Sequence, residues 1–244
     1  MLILSLNVRG LGGKTKSLSL RSLFSSLKPD FILLQETMCS APPALFAFSK
    51  ILPSWEFCAI SAHGLSGGLL SAWNPQKARC RAFHTCAGLL LEASIRGSPV
   101  PLHILNVYGP YRDRVCFWDK ALRGGLLNLP GLIIGGDLNL TLHTSEIWGV
   151  KALRDSLSDY FISLFDSLGL VDVAPQVAGP TWRNGRTGID GISKRLDRFL
   201  IASSLLPSLG SYKTWTKSLE ILETETYSLI ILSPRDTMTW LGGD

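Results

Sequence analysis

Polar residues able to bind a metal ion or to activate water stand at the ends of apolar runs along this sequence. Asn7, Glu36 and Asp137 each close such a run, Asn139 follows Asp137 by two positions, and Asp197 opens another run. Carboxylate and amide oxygens suit Mg²⁺, which takes one or two carboxylates and completes its coordination with water and phosphate oxygens. At the ends of buried strands, these residues predict a divalent-metal site that acts on phosphate.

The pair Asp137 and Asn139 has two interpretations. Gly135 and Gly136 precede the pair and permit a close backbone approach at the end of a buried strand. On an extended chain, residues two positions apart project to the same side, so both side chains would point into one cleft. The alternative is an Asx turn that merely ends the strand.

The other candidates also have two interpretations when each is taken singly. Glu36 follows four apolar residues and a glutamine, so it is either a Mg²⁺ ligand or a surface glutamate in a turn. Asn7 either binds a metal-bound water or a phosphate oxygen, or it caps the loop before Gly10. Tyr108 lies where a strand enters a tight turn, and its phenol either donates to a phosphate or belongs to an ordinary amphipathic strand.

The elements that must position these residues are mostly strands. Short apolar runs bounded by Gly, Pro, Asn or Asp predict strands at 2–6, 31–35, 56–60, 67–73, 89–95, 102–108, 132–136, 196–201 and 228–232. Leucines and aromatic residues at helical spacing predict helices at 15–28, 114–123 and 154–168. Strict βαβ alternation would give near parity between strands and helices. The excess of strands therefore favours an α/β sandwich of two sheets with helices on its outer faces.

The composition favours one folded unit with a polyanionic partner. The chain has 244 residues, of which 46% are hydrophobic and 18% are charged, and these fractions argue against disorder. Because the sequence shows no repeat, low-complexity tract or linker, we expect a single domain over residues 1–244. The net charge of +5 favours a polyanion as partner, although it carries no information about the fold.

The cysteine pattern and the lack of long apolar segments indicate an intracellular protein. The five cysteines include no CxxC pair and no histidine at zinc-ligand spacing, so reduced thiols are expected. The first apolar run breaks at Asn7 and Arg9 and has no basic region before it. It is therefore interpreted as a strand rather than a signal peptide. No run of about 18 apolar residues predicts a membrane span.

Taken in order, the motifs resemble those of a known superfamily. The sequence is similar to the endonuclease/exonuclease/phosphatase superfamily in LSLNVRGL at 4–11, LQET at 34–37, NVYGP at 106–110, GGDLN at 135–139 and RLDRF at 195–199. More narrowly, it resembles the apurinic-type endonuclease domain of plant non-LTR (LINE-type) retrotransposons. The segments that carry this narrower resemblance are VRGLG at 8–12, SGGL at 66–69, LTL at 140–142 with Ser145 and Glu146, and TWRNG at 181–185.

The resemblance implies a four-layered α/β sandwich that cleaves phosphodiesters with Mg²⁺, or with Mn²⁺ in its place. It implies that Glu36 binds the metal ion with help from Asn7. Asp137 would activate the attacking water, Asn139 would orient that water or the phosphate, and Tyr108 would contact the scissile phosphate. These roles meet the physical requirements of the reaction, because a cation and fixed donors stabilise charge on the phosphate and a carboxylate near water supplies general-base catalysis.

The sequence departs from the family pattern at its C-terminal motif. The family expects an Asp-His pair there, with Asp197 orienting the histidine. The aligned residues are Thr226 and Tyr227, and the last histidine of the chain is His143. A tyrosine with its ordinary pKa near 10 is neutral at pH 7 and offers no positive charge. Because the loss of one electrostatic donor typically lowers a rate by about 10²–10³, we expect a weakened enzyme.

Three functions are compatible with these observations. The first is a Mg²⁺-dependent DNA endonuclease of retrotransposon type, weakened by the loss of the Asp-His pair. The second is a catalytically inactive remnant that still binds DNA. The third is a phosphatase that acts on a small or lipid phosphoester, which the positive charge and the retrotransposon-like segments disfavour.

Candidate DNA contacts lie on predicted loops beside the motifs. They are Arg9, Arg112, Trp182, Arg183 and Asn184. Arginine can donate two parallel hydrogen bonds to a phosphate, and Trp182 either stacks on a base or belongs to the core. DNA is the expected partner of a monomeric protein with no membrane association, and no reverse transcriptase domain is expected within these residues. A nuclear location would follow only from a DNA substrate.

Overall fold

The computed structural model describes residues 1–63, 67–96, 101–218 and 226–234, with backbone alone at 217, 218, 226, 227 and 234. Strands β1 to β15 span, in order, Leu2–Asn7, Phe31–Gln35, Glu56–Ile60, Leu69–Trp73, Ala78–His84, Gly88–Ile95, Leu102–Tyr108, Leu132–Asp137, Ile147–Trp148, Leu170–Asp172, Trp182–Arg183, Ser193–Lys194, Asp197–Ala202, Leu209–Ser218 and Thr226–Pro234. Helices α1 to α4 span Lys14–Leu27, Ala41–Ile51, Arg114–Arg123 and Ser158–Ser167.

Two six-stranded mixed sheets form the frame of the fold. The first sheet has the strand order β14-β15-β1-β2-β4-β3, and the second has the order β10-β13-β8-β7-β6-β5. A small sheet joins β11, β12 and β9. In each large sheet one central pair runs parallel, β1 with β2 and β7 with β8, and the other neighbouring strands are antiparallel.

Three apolar clusters divide the molecule into four layers. The first cluster lies between the two sheets and includes Leu33. The second packs α1 and α2 against the outer face of the first sheet through Phe24 and Phe48. The third packs α3 and α4 against the second sheet through Trp118 and Phe161. The predicted four-layered α/β sandwich, with two β-sheets packed face to face and helices on the outside, is confirmed.

The alternation of side chains along each strand decides which residues reach the gap between the sheets. In β1, Leu4 and Leu6 pack toward the helices, whereas Ile3 belongs to the core between the sheets. The same period of two turns Ser5 and Asn7 toward the gap. The same alternation in β2, β7, β8 and β13 directs five more polar side chains toward the gap. They are Gln35, Asn106, Tyr108, Asp137 and Asp197.

The topology gathers these polar positions at one edge of the sandwich. The parallel strands β1 and β2 end side by side, with Asn7 in register with Gln35. In the second sheet Tyr108 is in register with Asp137 at the ends of β7 and β8. Asp137 is in turn in register with Asp197, the first residue of the antiparallel strand β13. One edge of the sandwich therefore presents polar side chains from both sheets.

All nine predicted strands occur within two residues of their predicted bounds, and the helices predicted at 15–28 and 114–123 occur as α1 and α3. The helix predicted at 154–168 is too long at its start. The carboxylate of Asp155 accepts the N–H of Leu157 at 3.0 Å and its carbonyl accepts the N–H of Ser158, so a turn precedes α4.

One helix and two long strands of the structure were not predicted from the sequence. Helix α2 was hidden by Pro42 and Pro43, but both lie in its first turn, where the chain has no helical N–H bond to lose. Strand β5 exposes Arg79 and Arg81 on one face, as edge strands often do, and therefore lacks an apolar run. Strand β14, at the edge of the first sheet, is likewise rich in polar residues.

Two further structural features bear on the expectations from composition. All five cysteines are free thiols. Within the residues described, none of the helices combines the length and the apolar character that a membrane crossing requires.

Gly136 allows β8 to lie directly against β7 one residue before Asp137. Its φ is 149°, and a Cβ atom at this position would lie 1.9 Å from the backbone oxygen of Val107. Real Cβ atoms do not approach backbone atoms this closely, and L side chains rarely adopt this φ. The site edge of the second sheet therefore requires glycine at position 136.

We expect Gly136→Ala to destabilise the fold by more than about 1 kcal/mol, because both the conformation and the contact with Val107 exclude a side chain. Urea denaturation followed by circular dichroism measures the change. Gly179→Ala is the matched control, since a Cβ at Gly179 would meet no atom within 4 Å and its φ is not positive. Equal stabilities of the two variants would contradict the close approach described here.

Candidate active site

The side-chain amide of Asn7 joins carboxylates from both sheets. Its Nδ2 donates to Oε1 of Glu36 at 2.8 Å and to Oδ2 of Asp137 at 3.0 Å. Glu36 follows β2 in the first sheet, whereas Asp137 ends β8 in the second, so one amide bridges the mouth of the sandwich. Asn7 and Asp137 are buried and Glu36 is half-buried. The structure thus brings these three predicted residues together in one hollow.

Tyr108 and Asn139 form the adjoining wall of the hollow. The Tyr108 hydroxyl lies beside the side chains of Glu36 and Asn139. Burial raises the pKa of Tyr108 well above its ordinary value, and the negative charges of Glu36 and Asp137 raise it further, so the phenol keeps its proton at neutral pH. The Asn139 side chain also donates to the carbonyl of Gly109 at 2.7 Å.

The extended conformation predicted from Asp137 to Asn139 is wrong. Asn139 has a left-handed backbone with a φ of 52°, and its N–H donates to Oδ1 of Asp137 at 3.1 Å. This is the Asx turn that the sequence offered as the alternative, and asparagine tolerates the left-handed conformation better than most residues do. The turn still leaves both side chains beside Tyr108, so the two residues meet by a different local geometry from the one predicted.

Asp197 lies next to Asp137 on the neighbouring strand and is 3% exposed. The hydroxyl oxygen of Thr181 accepts the backbone N–H groups of Leu196 and Asp197 at 2.9 and 3.0 Å. Among the described residues, Oδ1 of Asp197 has no hydrogen-bond partner. Buried polar atoms are rarely left unpaired, so this oxygen is available to accept a hydrogen bond.

Burial and mutual repulsion raise the pKa values of the two aspartates. Burial raises the pKa of Asp137 and the charge of Glu36 adds to the effect, which outweighs the hydrogen bond from Asn7. Burial and then the charge of Asp137 raise the pKa of Asp197 well above its ordinary value. The positive charge of Arg9 acts in the opposite direction on both aspartates, so Arg9 is a counter-charge of this site.

The chain turns sharply where it leaves the site strands. Arg9, Glu36, Met38 and Asn139 all have φ between 43° and 52°. Such angles are uncommon for residues other than glycine, asparagine and aspartate, and they persist only where the surrounding structure imposes them. At Glu36 one such constraint is visible, because its carbonyl accepts the N–H of Gly10 at 2.6 Å. Backbone strain is thus concentrated around the candidate site.

Four charged side chains, three of them buried and one half-buried (Asp172), form a closed ion cluster beside Asp197. Arg195 donates to Glu146 at 2.6 Å and to both carboxylate oxygens of Asp172 at 2.8 Å. Arg198 donates to Asp172 at 2.7 Å and to Glu146 at 2.9 Å. Arg198 is 1% exposed and Arg195 is 3% exposed. The cluster joins the start of β13 to β10 and to the loop after β8, and it therefore fixes the segment that carries Asp197.

The charges in this cluster compensate one another. Burial alone would raise the pKa values of Glu146 and Asp172, but the two guanidinium groups outweigh burial and hold both pKa values below their ordinary range. The carboxylate of Glu146 also accepts the N–H of Leu142 at 2.7 Å. Both carboxylates therefore stay charged at neutral pH, and the loop after β8 is anchored to them.

A second ion pair anchors the other side of the same loop. Arg114 donates to Oδ1 of Asp155 at 2.8 Å and to the carbonyl of Asn139 at 3.2 Å. Its guanidinium also lies over the ring of Phe161, 5.5 Å from the ring centre. The turn that carries Asn139 is therefore held by Arg114 at the start of α3, and Asp155 and Phe161 in turn fix Arg114.

The predicted DNA-contact residues differ in their exposure and in their free hydrogen-bonding groups. Arg112 and Arg183 are exposed, whereas Arg9 and Trp182 are half-buried. Asn184 is already engaged, because its Nδ2 donates to one backbone carbonyl of its own loop at 2.8 Å and its Oδ1 accepts two backbone N–H groups at 3.1 Å. Asn184 therefore shapes the loop between β11 and β12.

The side chains that hold the hollow in place, unlike several of those that line it, were not predicted from the sequence. Arg195 and Arg198 contact Glu146 and Asp172, which lie 23 to 52 residues away in the chain. One signal was present, since arginine within an apolar run is rarely buried without an acidic partner. That signal predicts buried partners without identifying them. Thr181 gave no signal beyond its place in a motif.

The chemistry of the donor set fits a hard divalent cation. Glu36, Asp137, Asp197 and Asn7 offer oxygen ligands, and a cation would relieve the repulsion that raises the pKa values of the aspartates. In the described ranges, no group of three or more His, Cys, Asp or Glu side chains could enclose a metal ion alone. An ion at this edge would thus depend on few protein ligands together with water or phosphate, as Mg²⁺ typically does. In this structure Asn7 turns its amino group to the carboxylates, and its oxygen accepts the N–H of Arg9 at 3.2 Å.

Known proteins resemble this chain in sequence pattern and in fold. Residues 4–217 match the model of the Endonuclease/Exonuclease/phosphatase family. Among curated proteins, none matches the chain significantly.

Solved structures of three nucleases superpose on most of the chain. The AP endonuclease LMAP from Leishmania major has a TM-score of 0.74 at 17% identity, with 96% of this chain and 88% of that chain covered. The 3'-5' exonuclease NExo from Neisseria meningitidis has a TM-score of 0.71 at 16% identity, with 96% and 100% covered. The endonuclease domain of TRAS1, a telomere-specific non-LTR retrotransposon, has a TM-score of 0.67 at 17% identity, with 94% and 97% covered. At these identities the likeness establishes the fold.

We expect Arg198→Met to destabilise the protein by about 3–5 kcal/mol at pH 7, because it leaves the buried carboxylates of Glu146 and Asp172 undercompensated. Their pKa values are depressed in the folded state, so their contribution is present above the unfolded-state values of about 4 and is lost as the pH falls through the folded-state values. The difference in the free energy of unfolding between wild type and variant should therefore shrink when the pH is lowered from 7 to 3.5.

Urea denaturation at both pH values measures this difference. Arg81→Met is the matched control, because Arg81 is 76% exposed and its contact with Glu92 is a surface ion pair at 3.5 Å. Such pairs typically contribute less than about 1 kcal/mol. If Arg198→Met lost no more stability than the control, the proposed charge compensation within the cluster would be contradicted.

Proposed function

We propose a function from one premise: the chain belongs to the endonuclease/exonuclease/phosphatase family. The proposed reaction is hydrolysis of phosphodiester bonds in DNA with a divalent cation, Mg²⁺ or alternatively Mn²⁺, at a low rate. The observation that carries the proposal is the bridge of Asn7 to Glu36 and Asp137, because it assembles acidic groups from both sheets at one open edge. A polyanionic substrate is attracted to such a site only when a cation offsets that charge.

Glu36 and Asn7 are the residues that would hold the cation. When bound, the ion would act as a Lewis acid that stabilises negative charge on the phosphate. Glu36 supplies a half-buried carboxylate at the rim of the hollow, and Asn7 supplies an amide between the two sheets. This division leaves Asp137, which is more deeply buried, for proton transfer.

Asp137 is the proposed general base. Its raised pKa makes it a stronger base than an ordinary aspartate, and the N–H of Asn139 fixes the carboxylate from one side. The Asn139 amide would orient the attacking water or the phosphate. Tyr108 keeps its proton at neutral pH, so its hydroxyl can donate to a phosphate oxygen. Arg9 adds a positive charge next to the two aspartates.

DNA is the proposed substrate, in the manner of a retrotransposon endonuclease. Support comes from the net charge of +5, from the exposed side chains of Arg112 and Arg183, and from the half-buried Trp182, which directly follows Thr181 in the chain. Further support comes from the structural likeness to the TRAS1 endonuclease domain and to the NExo structure with a product DNA hairpin. The narrower likeness to LINE-type elements of plants rests on the sequence segments alone.

A low rate is proposed because of the residues at the start of β15. This strand runs antiparallel to β1, and Tyr227 is in register with Leu6, one residue before Asn7. Thr226 and Tyr227 therefore belong to a strand that borders the site, where the family motif has its Asp-His pair, although their side chains lie outside the described residues.

DNA binding without cleavage is the second candidate function. The observation that favours it is the same replacement, because Thr226 and Tyr227 supply neither the carboxylate nor the imidazole of the motif. The basic residues around the hollow do not depend on that pair. Cleavage and retention on DNA therefore separate the two functions.

We expect purified protein to nick supercoiled plasmid slowly with Mg²⁺ and not at all with EDTA. Asp137→Asn should abolish the nicking that remains, because an amide cannot accept the proton from water. Gel separation of supercoiled and nicked circles measures both. The control is Asp159→Asn, which alters an exposed carboxylate on α4. Nicking by Asp137→Asn at the wild-type rate would refute the proposed general base, and retention on DNA without any nicking would favour the second function.

We expect the double variant Thr226→Asp with Tyr227→His to nick plasmid faster than the wild type by up to about 10²–10³, because it restores the missing donor beside Asp197. The single variant Tyr227→Phe is the control, since it removes only a neutral hydroxyl. Initial rates at equal protein concentration measure the effect. A folded double variant that is no faster than the wild type would contradict the alignment of β15 with the family motif.

A further inference from the structure

The two halves of the candidate site stand on different sheets. Asn7 and Glu36 belong to the first sheet, whereas Tyr108, Asp137 and Asp197 belong to the second. At the site, Nδ2 of Asn7 donates a hydrogen bond of 3.0 Å to Asp137 and so joins the two sheets directly. The site is therefore intact only when the sheets keep a fixed separation and a fixed lateral position.

One buried side chain, Asn106, makes a polar connection between the sheets next to the site. Its Oδ1 accepts from Nε2 of Gln35 at 2.7 Å. Its Nδ2 lies within hydrogen-bond distance of the carbonyls of Leu34 at 3.2 Å and Leu70 at 3.0 Å and of the hydroxyl of Ser71 at 3.2 Å. Asn106 comes from β7, whereas all its partners belong to β2 and β4 of the first sheet. Gln35 is itself bonded to Ser5 of β1, so the connection reaches three strands of that sheet.

The position of Asn106 in the chain couples this connection to both halves of the site. Asn106 precedes Tyr108 by two residues on the same strand face, and its partner Gln35 directly precedes Glu36. Asn106 and Gln35 are both completely buried. Farther from the site edge the gap is filled by apolar side chains such as Ile104 and Leu33. Apolar contacts are non-directional, whereas hydrogen bonds depend on both distance and angle.

We propose that Asn106 is a positioning residue that fixes the placement of the Asn7–Glu36 half of the site relative to the Asp137 half. Its amide holds β7 against β2 and β4 in one lateral register, and that register sets the reach of Asn7 to Asp137. Loss of the amide removes the shortest hydrogen bond of Gln35 and leaves it bonded only to Ser5 and Leu33 of its own sheet. A buried group that loses a partner across the gap favours a shift of the sheets. The effect on the Asn7 hydrogen bond is independent of the proposed function, whereas the effect on cation binding rests on it.

The test compares Asn106→Leu, which keeps the branched shape and the number of side-chain heavy atoms, with Ile104→Val. Ile104 is on the same strand and the same face, two residues farther from the site, and it is also completely buried. Two variants of the full chain are thus weakened in the same interface, and urea denaturation shows how far each is destabilised. Gln35→Met removes the same amide–amide bond from the opposite sheet, and it replaces Asn106→Leu if that variant does not fold.

The first readout is the side-chain amide of Asn7 in ¹⁵N–¹H NMR spectra of the metal-free protein. The two variants are brought to equal stability by adding urea to the more stable one. Under these conditions we expect the protons of the Asn7 amide to exchange with solvent at least about ten-fold faster in Asn106→Leu than in Ile104→Val. Equal exchange in the two variants would overturn the proposal, since it would leave Asn106 with a merely structural role.

The second readout is Mn²⁺ affinity, measured by electron paramagnetic resonance of the free ion. We expect the dissociation constant to rise by about 10–100-fold in Asn106→Leu and by less than two-fold in Ile104→Val, as for residues that orient metal ligands. Unchanged affinity in a folded Asn106→Leu variant would count against the proposal. Wild-type protein that binds no Mn²⁺ would refute the cation-dependent function, while the Asn7 readout would still decide the positioning role.

Discussion

The structure depends on keeping like charges close together in a place that water hardly reaches. Asp137 and Asp197 are in register on adjacent strands, and Glu36 approaches Asp137 from the other sheet through the amide of Asn7. Burial and repulsion raise the pKa values of both aspartates, so this arrangement is unfavourable in isolation. It persists because the rest of the fold determines where each of these residues must lie.

Two kinds of interaction fix the positions of these residues. Apolar layers on both faces of each sheet fix the strands as bodies, and a buried aliphatic side chain contributes about 1.5–3 kcal/mol to that packing. Directional polar contacts then fix the strand ends, where apolar packing gives way to the open edge. The cluster of Arg195 and Arg198 anchors the start of β13, the pair of Arg114 and Asp155 anchors the turn at Asn139, and Asn106 joins the sheets. Each of these contacts links segments that are far apart in the sequence.

This division explains what the sequence could reveal. The strands and the residues at their ends were predictable, because apolar runs with period-two alternation and the polar residues that close them are local features. The Asx turn at Asn139 was only one of two possible interpretations, because the same residues are also compatible with an extended chain. Helix α2 was hidden by prolines that its first turn tolerates. The supports of the site could not be predicted, since the pairing of Gln35 with Asn106 spans 71 residues and has no local signature.

The same electrostatics bear on whether the site acts or only binds. A protein that merely retains DNA gains nothing from Glu36, Asp137 and Asp197 at the edge that faces the phosphates, because their charge repels a polyanion. The exposed arginines would bind DNA better without them. The buried supports that keep the acidic groups in place also carry an energetic penalty, since ionised side chains must be desolvated to form them. An acidic hollow with these supports is useful when a divalent cation occupies it and the phosphate completes the coordination of that ion. The geometry of the site therefore supports the proposed cation-dependent chemistry over the proposed binding alone, even though the strand that borders Asn7 carries threonine and tyrosine.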